Sequence, residues 1–307
     1  MDYLYVALGL IGLFLGGDAL VRGSVGLARR MAISPLLIGL TVVGFGTSTP
    51  ELLVSVDAAL RGVPDVALGN VVGSNIANVL LIVGTTALIW PITVSGATLR
   101  RDTAVMVGAA LALVPILALG EVGRLPGAVL VMALAGYLAW AYLQPGDAVP
   151  DEEAGLPPPM PALRAGLWLV GGLIALMLGA RFLVDGAVAI AQGFGLSEAF
   201  IGLTIVAVGT SLPELATSVI AAFRRQSAIA IGNVIGSNVF NVLGILGLTA
   251  VISPIPVAPR FLGFDLPVMI AASLALTALL LLRPVIGRVM GVAMLIAYIG
   301  YIIAAQG

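Results

Sequence analysis

Gly44-Phe45-Gly46-Thr47-Ser48-Thr49-Pro50-Glu51 sets glycines, hydroxyls, a proline and a carboxylate inside a run that is otherwise apolar enough to sit in lipid. The pattern has a second copy. Ala207-Val208-Gly209-Thr210-Ser211-Leu212-Pro213-Glu214 lies at an offset of 163 (207 − 44), and each copy is followed at the same distance by another polar string. Those strings are Gly69-Asn70-Val71-Val72-Gly73-Ser74-Asn75-Ile76-Ala77-Asn78 and Gly232-Asn233-Val234-Ile235-Gly236-Ser237-Asn238-Val239-Phe240-Asn241. One constant offset, with no gap between positions 38 and 80, identifies an internal duplication with motifs over 38–80 and 201–243.

Composition fixes the medium. The 307 residues are 60% hydrophobic and 9% charged, with a mean hydropathy of +1.17, which places the chain in the membrane class. Apolar runs of roughly 20 residues or more, separated by short polar breaks, specify helices; a barrel would show alternating segments of about ten residues. The fold class is therefore an all-α integral membrane protein. A net charge of −1 with scattered basic residues gives no footprint for nucleic acid. Cysteine and histidine are both absent, which removes disulfides, thiol catalysis, the usual zinc sites and histidine proton relays. An enzyme is accordingly the least favoured class, since no nucleophile and base can be paired from these residues. The start, Met1-Asp2-Tyr3-Leu4-Tyr5, lacks a positive n-region and no cleavage site follows, so residues 1–30 read as a retained first span.

Ten candidate spans follow from the apolar runs: about 2–29, 34–60, 65–90, 99–119, 124–144, 161–193, 197–223, 228–252, 262–282 and 285–304. The polar, proline-rich interval 145–160 divides them into five and five, giving a first repeat over 1–144 and a second over 161–307. An odd number of spans per half makes the second half enter the membrane from the opposite side, so the repeats are expected to be inverted. All fourteen basic residues are arginine. With the N-terminus outside, Arg22, Arg29, Arg30, Arg100, Arg101, Arg164, Arg224, Arg225, Arg283 and Arg288 fall at cytoplasmic ends, against Arg61, Arg124 and Arg260 outside and Arg181 near an outer end. The expected placement is a multi-pass protein of the cell (plasma or inner) membrane, both termini outside and the 145–160 linker cytoplasmic.

Spans one and six carry a charge swap: Asp18 and Arg22 occupy the positions that Arg181 and Asp185 occupy in the second repeat. Each couple is four apart on one helix face and reads as an anchoring ion pair ahead of a gating element. Asp57 has no acidic counterpart at Ile220 and reads as an interfacial charge or part of an outer vestibule.

Glu51 and Glu214 carry the chemistry. A carboxylate near the bilayer centre costs on the order of 3 kcal/mol, so each needs a partner or a task, and neither has an arginine nearby in sequence. Each follows a proline that supplies no amide hydrogen, which frees the carbonyls four residues earlier, at Gly46 and Gly209, as oxygen ligands. Thr47 and Ser48 share the face of Glu51; Asn70, Ser74 and Asn78 recur at intervals of four on the next span. The second repeat supplies Thr210, Ser211 and Glu214 with Asn233, Ser237 and Asn241. Two carboxylates among hydroxyl, amide and carbonyl oxygens, with no nitrogen or sulfur donor, describe a hard-cation site suited to Ca²⁺. Gly69, Gly73, Gly232 and Gly236 read as close-packing positions, and Asn75 and Asn238, off the Ser74/Asn78 face, as packing or capping residues ahead of ligands.

Gly46-Thr47-Ser48-Thr49-Pro50-Glu51 with Gly69-Asn70 and Gly73-Ser74-Asn75, repeated in the second half, resembles the paired α-repeats of the sodium/calcium exchanger branch of the cation/calcium antiporter superfamily, prokaryotic type. The resemblance covers essentially the whole chain. It implies an antiporter binding Na⁺ or Ca²⁺ alternately at one central cluster, with spans two and seven broken and spans one and six sliding across the site. By position the implied ligands are Gly44, Thr47, Ser48, Glu51, Ser74 and Asn78 with Ala207, Thr210, Ser211, Glu214, Ser237 and Asn241, Gly44 and Ala207 acting through backbone carbonyls. No organic cofactor, nucleic acid or obligate protein partner is implied; the partners are the ions and the bilayer. Many relatives carry Asp at one of the two paired asparagine positions, whereas Asn78 and Asn241 are both neutral, which leaves two ionisable ligands. H⁺/Ca²⁺ or K⁺-dependent exchange is the alternative within transport. A passive cation channel is disfavoured, because duplicated broken helices in one chain suit alternating access rather than a fixed pore.

Overall fold

The computed structural model describes residues 2–31, 33–93, 97–143, 160–194, 207–283 and 285–305. The chain forms helices α1 (Asp2–Met31), α2 (Pro35–Thr47), α3 (Thr49–Leu60), α4 (Pro64–Ile89), α5 (Ala97–Leu117) and α6 (Arg124–Leu143). These are followed by α7 (Ala162–Gly193), α8 (Ala207–Thr210), α9 (Leu212–Phe223), α10 (Ser227–Ile252), α11 (Phe261–Leu282) and α12 (Arg288–Ala305).

Among the described residues, seven helices are long and apolar enough to cross a membrane, or eight if the bent pair α2–α3 counts as one span. The ten expected spans are thus only partly matched. Helix α5 opens with Arg100, Arg101 and Asp102 in its first turns, which lowers its apolarity, and the first part of the expected span 197–223 lies outside the described residues. The 145–160 linker lies outside them too, apart from Met160.

Local chemistry sets the breaks. Ser34 caps α2, its Oγ accepting from the Leu37 amide at 3.1 Å, with Pro35 preset for the first turn. Pro50 cannot continue the ladder of α2, so the chain turns at Ser48 (φ −83°, ψ 6°) and α3 leaves at 42°. Pro213 imposes the same turn at Ser211 (φ −90°, ψ 8°), between α8 and α9.

Two packing regimes follow. In α4 and α10, 72% and 78% of the most apolar window is buried, against 11% in α12, so these two helices run through the centre, with α2, α3 and α9 packed against them, and α12 lies on the lipid-facing side. Leu68, Val72 and Ile76 of α4 join Ile231, Ile235 and Val239 of α10 in one core. Outside this centre, α1 and α7 lie antiparallel along a glycine seam. A Cβ at Gly16 would stand 2.7 Å from the Leu176 amide nitrogen and one at Gly172 2.8 Å from the Gly16 carbonyl, so only glycine permits this approach. The outer faces of both, including Phe14, Leu15, Leu167 and Ile174, are exposed for lipid.

Of the glycines expected to pack closely, Gly232 and Gly236 do so, against Leu36 and Leu40 of α2. Gly69 meets only the Phe261 ring, at 3.8 Å, and Gly73 nothing within 4 Å among the described residues. An antiparallel bridge, Ile92 to Ile286, ties two inter-helix connections. The β1–β2 pair (Glu121–Val122 with Ile255–Pro256) ties two others, roughly 30 Å away along α5.

Candidate cation site between the two helix breaks

The breaks at Ser48 and Ser211 bring the two acidic motifs together in the centre of the bundle. Glu51 and Glu214 are each 1% exposed. Ser48 donates to Glu214 Oε1 at 2.9 Å, and Ser211 Oγ meets Ser74 Oγ at 3.5 Å, so hydroxyls cross between the halves in both directions. Ser237 donates to the Gly44 carbonyl at 3.3 Å. Thr47 Oγ1 lies 3.1 Å from the Val43 carbonyl, 3.4 Å from that of Gly44 and 3.2 Å from Asn233 Oδ1. Ala207 and Thr210 open and close α8 at the corresponding place in the second half, Thr210 half-buried.

Four side-chain oxygens of the two motifs are buried and have no hydrogen-bond partner among the described residues: Glu51 Oε2, Glu214 Oε2, Asn78 Oδ1 and Asn241 Oδ1. They form two pairs, each at the offset of the duplication (214 − 51 and 241 − 78 are both 163). Leaving such oxygens bare is costly, and costlier still for carboxylates. Among the described residues no arginine is paired with either glutamate. Nor do three acidic side chains converge among them, so the available countercharge is that of the two glutamates. A cation of charge two, or two of charge one, balances it.

The neighbouring asparagines hold this arrangement from outside. Asn70 Nδ2 donates to the Glu51 carbonyl and to Ser55 Oγ, both at 2.9 Å. Asn233 Nδ2 repeats this on the Glu214 carbonyl (3.2 Å) and Ser218 Oγ (3.0 Å). Their amides are spent on fixing the first turns of α3 and α9. Asn75 and Asn238, expected to pack or cap, are buried and accept across the halves: Asn78 Nδ2 donates to Asn238 Oδ1 at 3.1 Å, and Asn241 Nδ2 to Asn75 Oδ1 at 3.5 Å. The signal for this was the duplication itself, because each of these bonds recurs between the corresponding positions of the other repeat.

A Cβ added at Gly46 would stand 3.1 Å from the Leu173 side chain of α7, and the carbonyl that accepts from the Ser237 hydroxyl is that of Gly44. A freed carbonyl redirects within the broken turn, so the missing proton of Pro50 does not by itself pick out the oxygen. The charge couples form as expected: Arg22–Asp18 at 2.8 Å and Arg181–Asp185 at 3.7 Å. Asp18 also pairs with Arg224 at the end of α9, a contact between the halves that sequence spacing could not reveal. Asp57 forms an exposed pair with Arg61 at 2.7 Å, away from the cluster.

Known proteins share this plan. The family model described as sodium/calcium exchanger protein matches residues 1–143 and 165–306. The chain belongs to the sodium/calcium exchanger family. It is 42% identical to the putative antiporter CaxA of Alkalimonas amylolytica, over 97% of this chain and 96% of that protein. It is 32% identical to the sodium/calcium exchanger MaX1 of Methanosarcina acetivorans, over 99% of this chain and 98% of that protein. Among solved structures, the sodium-calcium exchanger NCX_Mj soaked with zero Na⁺ and Ca²⁺ superposes with a TM-score of 0.87 at 33% identity, covering 99% of this chain and 98% of that one. The exchanger is thus a multi-pass membrane transporter by family and not an enzyme.

Proposed function

We propose that this exchanger moves Ca²⁺ against Na⁺ by alternating access at the cluster between the two helix breaks. The observation that carries this reading is the set of four unpartnered buried oxygens, two carboxylate and two amide, contributed equally by the two motifs. The ions would be held by Glu51 and Glu214 with Thr47, Ser48, Ser74, Asn78, Thr210, Ser211, Ser237 and Asn241 and the carbonyls of Gly44 and Ala207. One Ca²⁺ or two Na⁺ neutralises the two glutamates, so the ions compete, and that competition is what couples their fluxes.

The framework of this proposal is ten transmembrane helices in two inverted five-helix repeats, 1–144 and 161–307, joined by the 145–160 linker, with spans two and seven broken. The duplicated turns at Ser48 and Ser211 support it. Helices α1 and α7 would slide over the centre as a pair, because their glycine seam joins them to each other more closely than either is joined elsewhere. The arginine distribution sets both termini outside. In support, Arg22 meets Arg224 across Asp18, and Arg225 stacks 4.6 Å from the Trp90 ring, all toward the side assigned to the cytoplasm.

H⁺/Ca²⁺ exchange is the second reading, favoured by one observation: both motif glutamates are buried, and among the described residues no third acidic side chain joins them. Radiolabelled calcium uptake into proteoliposomes separates the two. An outward sodium gradient drives uptake if the first reading holds; uptake that needs a pH gradient and ignores sodium promotes the second.

A further inference from the structure

Behind each cross-half asparagine pair stands a methionine. Asn238 Nδ2 donates to Met106 Sδ at 3.6 Å, and Asn75 Nδ2 donates to Met269 Sδ at 3.5 Å. Met106 lies in α5 and Met269 in α11, outside both motifs, yet they keep the offset of the duplication (269 − 106 is again 163). Both are buried, 2% and 1% exposed, as are Asn75 and Asn238, at 2% and 3%. The result is two chains of the same composition, Met106–Asn238–Asn78 and Met269–Asn75–Asn241, each ending on an unpartnered amide oxygen.

A thioether has no proton to give and can only accept. Its amide neighbour must therefore turn its NH₂ toward the sulfur, which leaves Oδ1 for the next asparagine. That asparagine must in turn present its own NH₂ and aim its Oδ1 the other way. An asparagine amide is nearly symmetric in shape, so without a one-way partner at the far end either orientation would pack equally well, and the flipped one would point N–H donors at a cation.

We propose that Met106 and Met269 are positioning residues for the cation site: each fixes the sense of an asparagine pair and so commits the carbonyl oxygen of Asn78 or Asn241 to the ion. This rests on the proposed assignment of Asn78 and Asn241 as ligands. It gives the outer helices α5 and α11 a part in ion affinity although neither carries a ligand. It also accounts for a methionine at positions where leucine would pack as well, since Leu and Met are close in volume.

The test is equilibrium calcium binding to the full-length purified protein, together with sodium-driven calcium uptake, for native, Met106→Leu, Met269→Leu and, as a packing control, Met294→Leu at a buried methionine of α12. Leucine keeps the volume and removes the one-way acceptor. Met106→Leu and Met269→Leu are each expected to weaken calcium affinity by about threefold to tenfold, the worth of one hydrogen bond. The number of sites and the maximal uptake rate should stay near native, and Met294→Leu should keep the native affinity. Native affinity in Met106→Leu and Met269→Leu would overturn the proposal, as would an equal loss in Met294→Leu. Native protein that binds no calcium would sink the functional reading, and the positioning role with it.

Discussion

In the proposed site, the neutral Asn78 and Asn241 limit how much cationic charge can be held. With Glu51 and Glu214 as its ionisable members, the cluster is balanced by one divalent ion, and a third Na⁺ would leave it near +1, tolerable only among many neutral oxygens. Asn241→Asp adds a carboxylate beside two others, and crowded carboxylates retain protons more readily. That variant is therefore expected to lose sodium-driven calcium uptake at a higher pH than the native protein as acid is added. Identical pH profiles would put residue 241 beyond electrostatic reach of the ions. Which residues are polar in an apolar run was readable from the sequence, because a carboxylate or an amide in lipid demands a reason. Which atom of each faces the ion was not. Asn70 and Asn75 both lie near the ligand face by spacing, yet Asn70 braces the Glu51 carbonyl and Asn75 orients Asn241, a distinction made only by contacts across the bundle.

At the scale of elements, the sequence marked the breaks well and the seams poorly. Pro50 and Pro213 announce their turns because a missing amide hydrogen is a local fact. The α1–α7 seam is not local. Gly171 and Gly172 are neighbours in sequence, but among the described residues a Cβ at Gly171 meets nothing within 4 Å while one at Gly172 runs into Leu20 and Gly16 of α1. Gly172→Val should accordingly cost about 1–3 kcal/mol or more, lowering the thermal midpoint in detergent and slowing exchange, since the obstacle is backbone that cannot yield. Gly171→Ala should match or exceed native stability, alanine being the better helix former. Equal midpoints for the two variants would show that the seam is not a close contact. The short helix α8 and the π-helical turns within α2, α4 and α10 were likewise outside what periodicity can mark. They place Asn78 and Asn241 at or within a widened turn, a form often found at functional sites.

For the whole molecule, the duplication carried most of the legible information. A single offset relates the carboxylates, the hydroxyls, the bracing asparagines and the methionines. Ten spans were less legible than the duplication. Helix α5 carries Arg100, Arg101 and Asp102 in its first turns, charges that blur the boundary of an apolar run although Arg101 pairs with Asp102 and Tyr137 donates to that carboxylate in the folded chain. The proposed orientation predicts that a cysteine at position 147, clean to read because the chain has no native thiol, is labelled by an impermeant reagent only after the cells are opened. Labelling from outside intact cells would reverse the topology. The central claim, that one cation site is built from both halves around Glu51 and Glu214, is tested most directly by sodium-driven calcium uptake in proteoliposomes for native protein, Glu51→Gln and Glu214→Gln. Removing either carboxylate leaves a divalent ion half-compensated in a buried site, a penalty of about 3 kcal/mol or more, so the account predicts uptake by the native protein and a loss of over roughly a hundredfold in each variant. Near-native uptake by either variant would contradict it.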